Sequence, residues 1–325
     1  MRASVVVNRN AARLSRARGA RHLARAGALL DELRRPRPGI EVFETTSQDD
    51  LDEVARTLAS RARGDGSDAV VLAGGDGSYM AGVSALTRTF GEKPLPPIAL
   101  APGGTVGTVA RNWGMTGDPV RYAARLLDAI ADGSIRSTRR PTLRISSRDD
   151  RHVRERVGFI FGAGLVARFF EVYDARGAGG NLAAARIVAR VFGGSFVGSR
   201  FARSVLAPGP CAICVDGEPA PFDRVSLLCA SVVRDLGLGM RLTRRAGEEH
   251  DRFHVVATPL GPRALGPQMP LVLAARPLLG PRVDALAKEL VLRFPQATGA
   301  YVLDGDLFRA DTITVTAGPE IDVLG

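Results

Sequence analysis

The sequence predicts an α/β protein in two parts: a doubly wound parallel sheet over residues 1–133, then a mostly antiparallel β-sandwich over residues 134–325. Three observations carry that reading. Residues 68–88, DAVVLAGGDGSYMAGVSALTR, run from an apolar β-branched strand through a glycine turn straight into a helical pattern with Met80, Val83 and Leu86 on one side. Strands and helices alternate regularly as far as Gly133. Beyond it, short alternating segments take over, separated by turn signals such as Asp216-Gly217 and Asp304-Gly305.

In chain order, Ser4–Val7 is the first strand and ends at Asn8. A basic amphipathic helix follows to about Arg35, where Pro36 and Pro38 break it. Ile40–Phe43 is the second strand. Thr45 to Asp50 opens the next helix, with Ser47 as its cap and Asp49 and Asp50 in the first turn; that helix runs to Gly64. The third strand, Asp68 to Ala73, stops at Gly74, and a fourth leads into Pro102-Gly103-Gly104-Thr105. Asp118-Pro119 starts one more helix, which stops at Asp132-Gly133. In the second part, strands are expected at 142–147, 153–161, 203–216, 224–233, 252–258, 271–275 and 312–316, with helices at 164–175 and 181–198.

A strand, a glycine turn and a helix start together make an anion site. Glycines let backbone N–H groups approach a phosphate, and the new helix aims its unpaired N–H groups at it. Asp76 is the informative residue of Gly74-Gly75-Asp76-Gly77-Ser78. A carboxylate beside a phosphate is repulsive unless a cation lies between them or the carboxylate handles a proton. A plain βα turn with Asp76 as a helix cap is the alternative.

This GGDGS loop resembles the nucleotide loop of diacylglycerol, sphingosine and ceramide kinases, and also of NAD kinases and phosphofructokinases. A second block, PIALAPGGTVGTVARNW at 97–113, is similar to the lipid-kinase block in which a strand leads into Pro-x-Gly-Thr and a helix bearing Ala-Arg. With both blocks in the family's order and at about its spacing, the chain is identified as a divergent member of the diacylglycerol kinase-like lipid kinase family. The resemblance implies ATP and Mg²⁺ as cofactors and a lipid hydroxyl as acceptor. It implies nucleotide contacts from Asn8, Thr45, Gly74, Gly75, Asp76, Gly77, Ser78, Gly104 and Thr105. It places Mg²⁺ on Asp76, with Asp306 as a further ligand or helper. Asp304, in a late Asp-Gly-Asp that stands for the family's Asp-Gly-Glu, becomes the proton acceptor, although the sphingosine kinase branch gives that role to the residue matching Asp76. Asp216-Gly217-Glu218 shows that this chain also uses Asp-Gly simply to turn hairpins.

The chain departs from the family pattern at several polar positions. Met80 and Ala81 stand where Asn-Glu usually follows the glycine loop, and Gly107 and Thr108 where Asn-Asp usually follows Gly-Thr. His250-Asp251 replaces an Asp-Gly associated with a structural Mg²⁺. In the first loop, Arg9-Asn10-Ala11-Ala12 replaces the glycine-bearing sequence, leaving Arg9 or Arg13 to meet phosphate. The second reading is therefore a nucleotide- or lipid-binding protein with little catalysis. NAD kinase fits less well because its Asn-Glu pair is missing, and no Gly-Lys-Ser/Thr follows a glycine loop, which excludes a P-loop kinase.

Composition narrows the partners. The chain has 325 residues and a formal charge of +10, with 45% hydrophobic and 24% charged residues. Ten Arg against Asp31 and Glu32 put most of the excess in residues 1–38. Such a patch suits anionic headgroups or a nucleotide, yet nearly every basic residue is Arg, which reads equally as compositional bias. Few aromatics and no recognisable motif argue against nucleic acid. No window reaches the ~20 apolar residues of a membrane span, and the N-terminal apolar run is too short for a signal peptide. A cytoplasmic protein is expected, with a peripheral membrane surface as an option. Segment 179–202 mixes apolar faces with Arg186, Arg190 and Arg200 and suits a lipid pocket, a membrane surface or, most plainly, a core helix with solvated arginines. Cys211-x-x-Cys214 with His250 and His254 has the ligand types of a zinc site without its compact spacing, so buried thiols are the better reading. Gly162-Ala163-Gly164 follows a strand but lacks the later acid of a dinucleotide site, and reads as a tight turn near the acceptor pocket.

Overall fold

The computed structural model describes residues 2–11, 20–62, 69–104, 107–149, 152–175, 180–295 and 298–325. Its contacts divide the chain into two units, Met1–Arg140 with Glu320–Gly325, and Pro141–Pro319. The first unit is thus closed by the last residues of the chain rather than ending at Gly133.

In the first unit the strands are β1 (Ala3–Asn8), β2 (Ile40–Thr45), β3 (Ala69–Gly74), β4 (Ile98–Pro102) and β5 (Ser137–Arg140). The helices are α1 (Ala20–Arg34), α2 (Gln48–Arg61), α3 (Asp76–Phe90), α4 (Thr108–Asn112) and α5 (Pro119–Asp132). The sheet order is β2, β1, β3, β4, Ile321–Leu324, β5, and all pairings are parallel except the last. Every residue of β3 is buried, as expected for a central strand covered on both faces. Val5, Val7, Val71 and Ala99 share one hydrophobic cluster with Leu29 and Leu33 of α1 and Leu127 and Ile130 of α5. On the other face α3 comes so close that a Cβ on Gly82 would lie 2.7 Å from a Leu72 methyl. Leaving β1, the chain crosses to β2 on one side and later to β4 on the other. The sheet's switch point therefore falls at the carboxyl ends of β1 and β3, where open α/β sheets bind ligands.

The helix boundaries follow from local chemistry. Ser47 accepts from the Asp50 backbone N–H while the Asp50 carboxylate accepts from Ser47 and Thr46, a capping box at the start of α2. These donors hold the Asp50 carboxyl at about 2. Asp118 caps α5 with Pro119 at the first helical position, and Gly133 closes it at a φ of 70°. Helix α2 stops at Arg61; Gly64, its expected end, lies outside the described residues.

The second unit contains two six-stranded sheets with only antiparallel pairings. One runs Glu218–Pro219, Ala212–Val215, Glu289–Arg293, Thr312–Ala317, Leu143–Arg148, Val153–Gly158; the other runs Val283–Ala287, Phe253–Thr258, Leu227–Ser231, Ile160–Gly164, Gly299–Leu303, Asp306–Ala310. Helices α6 (Leu165–Ala175), α7 (Gly180–Phe196), α8 (Arg200–Leu206), α9 (Pro262–Leu265) and α10 (Met269–Leu273) complete the unit. Ile187, Val191, Val205 and Leu265 from these helices bury Leu227, Cys229 and Val256 of the second sheet.

Several expected elements change. The strand expected at 203–216 begins as helix α8, because Ser199 accepts from the Ala202 N–H and caps it. The strand expected at 271–275 is helix α10, where Pro270 sits in the first turn; a short apolar run does not distinguish helix from strand by pattern alone. Strands 153–161 and 224–233 are each interrupted, at Phe159 and Ser226. Gly162 and Gly164 lie in a paired strand that leads directly into α6. A Cβ on Gly164 would sit 2.6 Å from the Ser226 carbonyl oxygen, so its smallness serves strand packing. Among the described residues no group of three or more His, Cys, Asp or Glu side chains could hold a metal. Burial pushes the Cys211 and Cys229 thiols up to about 12.

His254, fully buried in the second sheet, meets Asp284 Oδ1 at 2.8 Å, and Arg244 donates to Asp284 Oδ2 at 2.9 Å. Desolvation pushes the Asp284 carboxyl up, but His254 and Arg244 together overcome it and hold it at about 2. A depressed carboxyl stabilises the fold above the unfolded-chain value of about 4 and loses that contribution as pH falls towards 2. Denaturant midpoints measured from pH 6 down to pH 2 should therefore fall by an amount equivalent to roughly 2 kcal/mol more in the wild type than in Asp284→Asn. Parallel curves would remove Asp284 from the acid response.

Candidate functional site

The first unit brings most of the nominated residues to the switch point of its sheet. Gly74 ends β3, Gly75 is the N-cap of α3 and Asp76 is its first helical residue. The side chain of Asp76 does not cap its own helix. Oδ2 accepts from the Thr108 backbone N–H at 2.8 Å and Oδ1 from the Val109 N–H at 3.0 Å, so this carboxylate caps α4 across the sheet edge. Desolvation pushes the Asp76 carboxyl up, and the amides of Thr108 and Val109, with Arg111 nearby, only partly offset it.

The backbones of the two loops are in direct contact. Gly103 N–H donates to the Gly74 carbonyl at 2.6 Å. A Cβ added to Gly104 would lie 2.3 Å from the Gly75 Cα, a clash with backbone that no side-chain motion relieves. The pairing of β3 with β4 carries through to Gly74 opposite Pro102, so the sheet register itself delivers one glycine loop onto the other. Gly107 enters α4 at a φ of 61°. This left-handed conformation is one that Asn, the residue usual here in the resembled family, also adopts.

Beside this clasp is a cavity of about 220 Å³ at the ends of β1, β2 and β3, lined by Asn8, Thr45, Ser78 and Ala81 among others. Asn8 Nδ2 donates to Ser78 Oγ at 2.8 Å, which ties the end of β1 to the start of α3. Its Oδ1 accepts from the Asn10 N–H at 2.9 Å, and Asn10 Nδ2 donates to the Thr46 carbonyl at 2.6 Å. Thr45 is buried, its hydroxyl 3.4 Å from the Val7 carbonyl oxygen. Asn10, Thr46, Ser47 and Gln48 also line the cavity and were not nominated from the sequence. Ser47 carried a signal, but one that read as a helix cap. Arg9, expected to meet phosphate, is held instead by Glu44 at 3.2 Å. Thr105 and Arg13 lie outside the described residues.

Asp304 and Asp306 belong to a hairpin of the second unit. Asp304 at a φ of 50° and Gly305 at 96° form the turn, both residues in the left-handed region that a two-residue hairpin demands. The buried Asp304 carboxylate accepts from the Phe159 and Ile160 N–H groups, each at 2.9 Å. A Cβ on Gly158 would sit 2.4 Å from Asp304 Oδ2. The Asp216-Gly217 hairpin repeats the device: Asp216 Oδ1 accepts from the Lys288 and Glu289 N–H groups at 2.8 Å. Each Asp-Gly turn thus pins its hairpin to two consecutive amides at the junction of two other strands. Asp306 instead presents its carboxylate at the surface, yet surrounding chain desolvates it and pushes its carboxyl up, Asp174 adding to the shift and Arg156 opposing it.

A parallel sheet whose switch point carries two touching glycine loops beside a polar cavity is the doubly wound arrangement that suits a phosphate-bearing ligand at its strand ends. Residues 2–139 match the family model of the diacylglycerol kinase catalytic domain. The first unit is thus similar to that family's catalytic domain. Its fold resembles that of a diacylglycerol kinase from Bacillus anthracis str. Sterne, with a TM-score of 0.59 and 15% identity over 99% of this chain and 96% of that one. It also resembles yeast NADH kinase complexed with NADH, with a TM-score of 0.51 and 13% identity over 100% of this chain and 83% of that one. At such identities the likeness to solved structures concerns the fold. No curated protein matches the chain.

Proposed function

We propose that the protein is an ATP- and Mg²⁺-dependent lipid kinase that phosphorylates a hydroxyl of diacylglycerol or a related lipid. The observation that carries this reading is the clasp of the two glycine loops beside the polar cavity. The amides at the start of α3 would meet the phosphates, and Asn8, Thr45 and Ser78 would line the nucleotide's path. The donor set suits magnesium, which takes one or two carboxylates and completes its shell with phosphate and water. Asp76 is the carboxylate at this turn, and because its oxygens are already held by the Thr108 and Val109 amides it would organise the ion directly or through water. Bound there, the ion would neutralise charge on the phosphates.

The hairpin suggests a division of labour between its acids. Asp304 spends both oxygens on backbone amides and holds the turn, whereas Asp306 is exposed and shifted in the direction that suits a base. In the proposed transfer the lipid hydroxyl oxygen forms a bond to the γ-phosphorus and the bond from that phosphorus to the bridging oxygen breaks. The hydroxyl proton passes to Asp306, and ADP leaves.

One observation favours a second reading, a nucleotide-binding protein with little transfer: Ala81 lines the cavity and Gly107 and Thr108 start α4 where the resembled family has polar or acidic side chains. Radiolabelled ATP offered with diacylglycerol, sphingoid bases and prenyl alcohols separates the two. The kinase reading expects a labelled lipid, with transfer reduced at least about a hundredfold in Asp76→Asn. Bound ATP without transfer to any acceptor would establish the second reading.

A further inference from the structure

We infer that the helical layer of the second unit docks on an anionic lipid bilayer. Of the seven large hydrophobic side chains exposed among the described residues, six (Leu182, Phe196, Val197, Leu238, Leu273 and Leu279) belong to this layer and the loops packed with it. Helix α7 buries little more than a single stripe, Ile187, Val191 and Ser195. It is the core helix with solvated arginines that the sequence also allowed: Ile187 and Val191 belong to the buried cluster while Arg186 and Arg190 stay exposed.

The most protruding point is the corner between α7 and α8, where Phe196 is 57% and Val197 is 76% exposed. The two helices meet there at a 106° bend, and no single helix among the described residues is long and apolar enough to cross a membrane. The corner is built to protrude. Gly198 turns at a φ of 62°, Ser199 caps α8, and Ser195 presses so closely on the 266–268 turn that a Cβ on Gly266 would strike its hydroxyl. Leu279 is fastened to the same layer by Gln268, which accepts from the Leu279 N–H at 2.7 Å and donates to the Ala264 carbonyl at 2.9 Å.

Charge selects the occupant. No Asp or Glu occurs between Asp174 and Asp216 or between Asp251 and Asp284, the two segments that supply these helices. Arg186, Arg200, Arg203, Arg263 and Arg276 are all exposed within them. The Arg263 guanidinium lies beside Gly198, 3.2 Å from where its Cβ would be, so one cation flanks the apolar corner directly. On α7 to α10 the exposed apolar side chains stand among cations, the acids of the layer being Glu171 and Asp174 on α6, with Glu171 paired to Arg309. That pattern matches an anionic interface, where the chains enter the headgroup boundary and the arginines meet phosphate. A partner protein with its own mixed charges would leave these arginines poorly matched.

This inference rests on the second unit alone and goes beyond the phosphotransfer reading. The test is co-sedimentation of the full chain, without nucleotide, with vesicles of phosphatidylcholine and with vesicles of equal parts phosphatidylglycerol and phosphatidylcholine. The wild type should sediment with the anionic vesicles and remain in solution with the neutral ones, and binding should weaken as salt rises. Phe196→Ser with Val197→Ser should lower the partition at least about tenfold, and Arg200→Gln with Arg203→Gln by about tenfold or more. The control Val153→Ser, outside the layer, should bind as the wild type does. Absence of sedimentation at low salt, equal binding to neutral vesicles, or an unchanged Phe196/Val197 variant would overturn the proposal. So would a dimer, seen by light scattering, that this variant dissolves; a second copy would then be the occupant. Failure of any lipid to accept phosphate leaves the vesicle result standing, and the reverse holds equally.

Discussion

Gly104→Ala will fold, yet its affinity for Mg·ATP should fall at least about a hundredfold in a calorimetric titration. The new methyl would lie 2.3 Å from the Gly75 Cα, and the neighbour is main chain on both sides. Relief requires the loops to part by more than an ångström. That movement would break the Gly103-to-Gly74 hydrogen bond and draw Thr108 and Val109 away from Asp76. The cost concentrates at the end of the sheet, because the strands below the loops are fully paired and buried. Thermal stability should accordingly drop by only about 1–3 kcal/mol, the range for strained packing. Wild-type affinity in this variant would mean that the contact between the loops does not shape the nucleotide site.

Asp304→Ala should be among the most destabilising single substitutions in the second unit, by about 3–5 kcal/mol. It removes the acceptor for two backbone N–H groups, those of Phe159 and Ile160, at a point where the chain passes from one sheet into the other. It also places alanine at a φ of 50°, which costs about 1 kcal/mol more. Asp304→Asn keeps one acceptor oxygen and tolerates the left-handed backbone, so it should recover more than half of the loss. Asp306→Ala should change stability by less than about 0.5 kcal/mol, as at other exposed positions, while abolishing the transfer assigned to it. Urea titrations of the three variants check the order; equal destabilisation by Asp304→Ala and Asp306→Ala would contradict the division between anchor and base.

The first unit was readable because each of its signals has a local cause. Ser47 with Asp50, Asp118 before Pro119 and Gly133 mark helix ends by hydrogen bonds made within a few residues, and β3 is apolar throughout because helices cover both faces. Asn8, Thr45 and Ser78, named from the resemblance, meet at one cavity, and the glycines of the two loops touch. Sequence could not show that Asp76 reaches across to α4, since that bond joins residues over thirty positions apart and depends on the register of β3 with β4. In the second unit, local signals were weaker. Met269–Leu273 is as apolar as a strand, and the run at 203–206 gave no sign that Ser199 would cap it into a helix. The anchoring roles of Asp304 and Asp216 depend on amides far along the chain, so an Asp-Gly turn shows a hairpin without showing what its carboxylate grips.

In the proposed function the clasped turn at Gly74–Ser78 receives a magnesium-bound triphosphate. A crystal structure with Mg²⁺ and a non-hydrolysable ATP analogue tests it most directly. Phosphate oxygens are expected against the backbone amides at the start of α3, with the metal at Asp76 and the rest of the nucleotide running past Asn8 and Thr45. Phosphates bound elsewhere, with the Asp76 carboxylate still engaged only by Thr108 and Val109, would contradict it.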